Sequence, residues 1–141
     1  MIRKQSWIVI IALCTLSAAD LPYAGKWKLN LEKSRHASSA KTIEFTQQDG
    51  DGFTIKIADL NAVCEAKFDG KDYPATGPTV PTGYTLAVKK IDGRTFEMIQ
   101  KMNGKTLYTS TFQASSDGKT LTQTDSADST GEKVEALYDR Q

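Results

Sequence analysis

Few of the side chains able to do acid–base or metal chemistry in this 141-residue chain stand close enough in sequence to suggest a joint site. Asp49 with Asp51, and Asp69 with Asp72, are carboxylate pairs of the kind a glycosidase needs. Each pair sits in a glycine-containing turn, QDGDG or DGKDYP, where Asp is used to cap its own backbone. The DGDG stretch hints at calcium, but a calcium loop needs six or more oxygens with a bidentate acid at a fixed offset, and QDGDGFTIKIAD supplies too few. His36 is the single histidine, in a Ser-rich connection without Cys or carboxylate at ligand spacing, so it predicts no zinc site. The second half of the chain holds neither His nor Cys, which leaves Met98 and Met102 as weak axial candidates for a haem. No Gly-x-Ser-x-Gly turn marks a nucleophile. These spacings predict no catalytic residue, no metal and no cofactor: the chain reads as a non-enzyme. The chemistry left is binding, and its candidates are Phe96, Met98, Gln100, Thr109, Thr111, Gln123 and Tyr138, with Tyr84 near a mouth.

Those residues need a scaffold of strands. Turn signals recur at 48–52, 58–61, 69–74, 92–93, 103–104, 115–119 and 128–132, where Gly and Asn supply the positive φ of tight hairpins. Between them the runs are too short for most helices and rich in Thr, Val, Ile, Tyr and Phe. Strands are predicted at 25–31, 41–47, 53–58, 62–68, 84–91, 94–102, 105–113, 120–125 and 133–139. Trp27, Leu29 and Leu31 share one face, as do Ile43 and Phe45, then Phe53, Ile55 and Ile57, then Ala62, Cys64, Ala66 and Phe68. No helical period runs after residue 20 to cover this dry face, so the sheet must cover itself. The serial hairpins predict an all-β, antiparallel up-and-down barrel of eight to nine strands. A sandwich is the rival, and it calls for longer crossovers.

A two-residue turn at Asn103-Gly104 pairs Met102 with Lys105, Gln100 with Leu107, Met98 with Thr109 and Phe96 with Thr111. Glu97 and Lys101 belong in water, which turns the Phe96, Met98 and Gln100 face inward. Buried amides and hydroxyls cost ~1–3 kcal/mol each when unpartnered, so this mixed lining, with Gln123 and Tyr138, points to a cavity. The other phasing puts Ile99, Tyr108 and Phe112 inside, and both stay open here.

The first residues read as an export signal. Arg3 and Lys4 form a basic head, Ile8 to Leu16 an apolar stretch too short to span a bilayer, and Ser17-Ala18-Ala19 a cleavage site before Asp20. Lipidation at Cys14 is the rival, with Leu13 in place of a small residue. Cleavage gives a single domain at 20–141, exported to a periplasm or secreted, with no stable membrane span. Without Arg3 and Lys4, 16 cationic side chains face 17 acidic ones, a balance that argues against nucleic acid and anionic membrane as partners. Cys64 is then the only cysteine, so no internal disulfide forms and the thiol is expected to be buried. The chain is expected to be a monomer.

YAGKWKL at one end resembles the Gly-x-Trp opening strand of lipocalins and fatty-acid-binding proteins, the calycin barrels, and EALYDRQ is similar to their closing strand. FDGKDYPATG, KKIDGRTFEM and SSDGKTLTQTDS resemble a group of exported bacterial lipocalin-like proteins without established activity. The resemblance implies that Trp27 closes the barrel base with Arg140 lying over it. Fatty-acid carriers hold a carboxylate with Arg-x-Tyr on the last strand, whereas Ala136-Leu137-Tyr138 keeps only the tyrosine. That departure argues for a small hydrophobic or weakly polar ligand instead of a fatty acid. Residues 32–40 are too short for the helix pair of those carriers, which leaves 73–83 as a candidate cover or a passive connection. The resulting expectation is an exported, non-catalytic barrel with an interior ligand. The alternative is an interaction or inhibitor module with a filled barrel, acting through 32–40 and 73–83.

Overall fold

The computed structural model describes residues 21–35 and 40–141. Residues 1–19, read above as an export signal, and His36 lie outside the described residues. Ten strands run in chain order: β1 Gly25–Leu29, β2 Thr42–Gln47, β3 Gly52–Ile57, β4 Ala62–Lys67, β5 Tyr73–Thr76, β6 Tyr84–Asp92, β7 Thr95–Met102, β8 Lys105–Ala114, β9 Thr120–Ala127 and β10 Lys133–Arg140. A single 3-10 turn, Ala58–Leu60, is the one helical element among the described residues. Every strand pairs antiparallel with its sequence neighbour, and β1 closes the ring on β10 through Trp27 opposite Arg140 and Leu29 opposite Tyr138. The described residues therefore form a closed up-and-down barrel, with no second layer among them.

The strand count is ten where the sequence pattern predicts eight to nine. The addition is β5, inside the proline-containing stretch read above as a cover or a passive connection without a strand. Pro74 lacks an N–H and would break a long ladder. It is accommodated because β5 makes only two residue pairings on each side, Val63–Thr76 and Cys64–Ala75 with β4, then Tyr73–Leu86 and Pro74–Thr85 with β6. β1 also ends two residues earlier than its alternation suggests, leaving Leu31 outside.

The Gly-x-Trp opening has a geometric explanation. Gly25 adopts φ +124, and a Cβ there would lie 2.5 Å from Arg140 Nη1. The guanidinium thus occupies space that only glycine leaves free. It lies 4.2 Å over the Trp27 ring and donates from Nε to Gly118 O (2.5 Å), from Nη1 to Ala24 O (2.7 Å) and from Nη2 to Pro22 O (2.6 Å). Trp27 in turn donates its indole N–H to Tyr23 O at 2.8 Å. One side chain from the last strand thereby ties the entry segment, the first strand and the β8–β9 turn. Arg140→Ala is expected to lower unfolding free energy by about 2 kcal/mol, from charged hydrogen bonds plus a cation–π contact at a partly solvated site. Arg140→Lys should recover little, since an ammonium cannot reach three diverging carbonyls; urea melts of both variants check this.

Behind that closure the barrel is filled with aromatic rings. Tyr23, Phe45, Phe53, Phe68, Phe96 and Phe112 form one contacting group. This end of the barrel is solid, and whatever space the interior offers lies toward the other end.

Candidate functional site

Beyond the rings the interior opens into a cavity of about 420 Å³, within the range of small-molecule sites. Its two walls differ. Ile43 and Phe45 of β2, Ile55 and Ile57 of β3, Ala62 and Cys64 of β4, Ala75 of β5 and Leu86 of β6 form an apolar half. The facing half carries Tyr84, Gln100, Tyr108, Gln123 and Asp125, from β6 to β9, and Met98 with Phe112 extends the apolar lining between the strands of this half. Thr79, Val80 and Pro81 line the mouth, so the 73–83 segment contributes to the site.

The polar half holds itself together by hydrogen bonds. Tyr84 OH donates to Gln100 Oε1 at 2.5 Å, and Gln100 Nε2 donates to Ser110 Oγ at 2.9 Å. Ser110 is paired with Asp125 across β8 and β9. Gln123 Nε2 donates to both Asp125 oxygens, at 2.9 and 3.0 Å, while its Oε1 lies 3.0 Å from Tyr138 OH. The Tyr138 hydroxyl is also 2.9 Å from Ala40 O, and its single proton serves one acceptor at a time. The wall thus partners its own amides, which makes polar side chains tolerable there. Burial raises the Tyr84 hydroxyl above its ordinary value, and the Asp125 charge adds to the effect.

Four of the anticipated binding residues, Met98, Gln100, Gln123 and Tyr84, line the cavity. Tyr138 is fully buried and supports Gln123 without lining the space. Phe96 belongs to the aromatic base, stacked on Phe112 at 4.9 Å. Thr109 and Thr111 point outward, sharing a face with Ile99 and Glu97; Ser110 and Phe112 take the buried positions instead, and Tyr108, in the same phase, lines the cavity while staying 47% exposed. The reason is a β-bulge. Asn103 (φ 49) and Gly104 (φ 80) make the anticipated tight turn, and Met102 pairs with Lys105. The ladder then passes over Leu107, so Gln100 faces Tyr108 and every later residue of β8 is reversed. The Leu107 carbonyl accepts from Asp128 N instead. Of the set that the other phasing puts inside, Phe112 is buried while Tyr108 is about half exposed and Ile99 stays in the outward phase of β7. Asp125 was not anticipated at all; its signal is the inward phase of Leu121 and Gln123 carried two residues further.

Cys64 is buried and unpaired, as its isolation predicts, with Sγ 3.7 Å from Tyr73 O. Burial pushes its thiol from 9.0 up to about 11, with Glu65 adding to the shift. Burial likewise lifts Tyr23, whose hydroxyl has no hydrogen-bond partner among the described residues, from 10.0 to about 12. Both folded values exceed the unfolded ones, so the unfolded chain ionises first. Stability should be complete below pH 9 and fall as pH rises from there toward 12. Thermal midpoints measured from pH 8 to 11 check this, and Cys64→Ala and Tyr23→Phe should each flatten part of the decline.

Among the described residues, no group of three or more His, Cys, Asp or Glu side chains is placed to hold a metal ion. Compared with known proteins, the chain matches no protein-family model, and no curated protein is significantly similar to it.

Proposed function

We propose that this chain is a non-catalytic, lipocalin-like binding barrel, exported from the cell, which holds one small and largely apolar molecule in its interior. The observation that carries the reading is the two-ended interior: aromatic side chains fill one end, while a cavity of about 420 Å³ occupies the other. Protein interiors normally close-pack, and a space of this size with one apolar wall represents burial energy not yet collected. The Gly25–Trp27–Arg140 closure supports the calycin likeness, and the basic, apolar and small-residue order of residues 1–19 supports export. Entry falls to the mouth beside β5, where the ladder is held by two residue pairings on each side.

Native mass spectrometry of protein purified from its own host tests the reading. The expected result is a species heavier than the polypeptide by a few hundred daltons, the size of molecule such pockets take, which is lost on unfolding. The bare polypeptide mass, together with no uptake of the neutral fluorophore N-phenyl-1-naphthylamine, overturns it.

A further inference from the structure

The cavity's charge is one-sided. Among the described residues that line it, Asp125 alone carries a formal charge, and no Lys or Arg joins it there. Among the described residues no cationic nitrogen lies within ion-pair distance of this carboxylate; the one side-chain ion pair is Lys101 with Asp72, at 2.8 Å. Its protein donor is instead the single amide nitrogen of Gln123, set against both oxygens at 2.9 and 3.0 Å. A carboxylate accepts about four hydrogen bonds, so acceptor capacity remains where Asp125 borders the cavity. Its orientation is built in by the inward phase of β9 and by the Tyr138–Gln123–Asp125 contacts. Burial raises the Tyr84 hydroxyl on the same polar wall, and the Asp125 charge adds to that shift.

We infer that the ligand is an amphiphile with a protonated amine head: the ammonium group donates to the Asp125 carboxylate, and its apolar body lies against Ile43, Ile55, Ile57 and Leu86. This rests on the binding reading above and narrows it. A carboxylate ligand is disfavoured twice, by repulsion from Asp125 and by the absence of a cation in the lining. A neutral alcohol gains the apolar contact but lacks the charge-assisted bond.

The test uses the full mature chain and three probes sharing one hydrocarbon body: nonylamine, nonanol and nonanoic acid, each displacing N-phenyl-1-naphthylamine at pH 7. The amine should compete about ten- to a hundredfold better than the alcohol, the range of one hydrogen bond to a charged group, with the acid weakest. Asp125→Asn, which keeps shape and removes charge, should bring amine and alcohol within about threefold, each probe's affinity being corrected for the variant's own affinity for the fluorophore; circular dichroism checks its fold. If the fluorophore binds and the wild-type chain ranks the three probes equally or favours the acid, the amine inference falls and the carrier reading stands. If neither fluorophore nor probes bind, both fall. The wild-type ranking decides the matter even if the variant does not fold.

Discussion

Phe96→Ala is expected to lower unfolding free energy by about 3–5 kcal/mol, the range for deleting a buried phenyl ring without collapse of the surrounding core. Phe96 is fully buried and touches five other rings. It stacks on Phe112 at 12° between planes, meets Phe45 and Phe53 edge-on at 5.2 Å, and reaches Tyr23 at 4.7 Å and Phe68 at 6.1 Å. The neighbours come from β2, β3, β8 and the segments flanking β1 and β4, so no single strand can move in to fill the gap. Such a loss is a large part of the ~5–15 kcal/mol that holds a small domain together. Urea unfolding should show a lower midpoint with an unchanged slope, since the exposed surface is nearly the same. A loss under about 1 kcal/mol would mean that the base is not the rigid floor described. Ligand uptake should persist in the folded fraction, because Phe45 and Phe112, not Phe96, face the cavity.

Ile57→Trp is expected to abolish fluorophore uptake, weakening it at least about a hundredfold, with little change in thermal midpoint. Ile57 lines the cavity from the end of β3 and is only partly buried. An indole there has empty space to enter, so the usual cost of overpacking, ~1–3 kcal/mol in a filled core, should be largely avoided. Retained stability with lost binding is the informative combination. Normal uptake by a folded Ile57→Trp chain would place binding outside the barrel and sink the carrier reading. Equal loss of stability would show that the space is already needed for packing.

Much of this architecture is legible in local sequence. Period-two alternation places Trp27, Ile43, Phe45, Phe53, Ile55, Cys64 and Ala66 on the inner face, and all are buried. The Asn103-Gly104 pair specifies its turn, since both positions require positive φ. The site is only partly legible. On β7 the charges of Glu97 and Lys101 disclose the phase, and Met98 and Gln100 follow correctly. On β8 alternation is ambiguous, because Thr109 and Thr111 suit either face and a passed-over Leu107 leaves no mark in composition.

Alone, the chain of residues determined an antiparallel series of hairpins and a dry inner face that includes Trp27, Phe45 and Cys64. These features follow from turn chemistry and from side-chain alternation, which act over a few residues. Tertiary structure alone decided the ten-strand closure through β5, the reversal of β8, and the inward turn of Asp125 beside Gln123. Each depends on ladder partners and hydrogen-bond acceptors supplied by strands distant in sequence: Leu107 bonds to Asp128, Pro74 stands opposite Thr85, and Tyr138 braces Gln123. A barrel must satisfy all its neighbours at once, and that condition has no local signature.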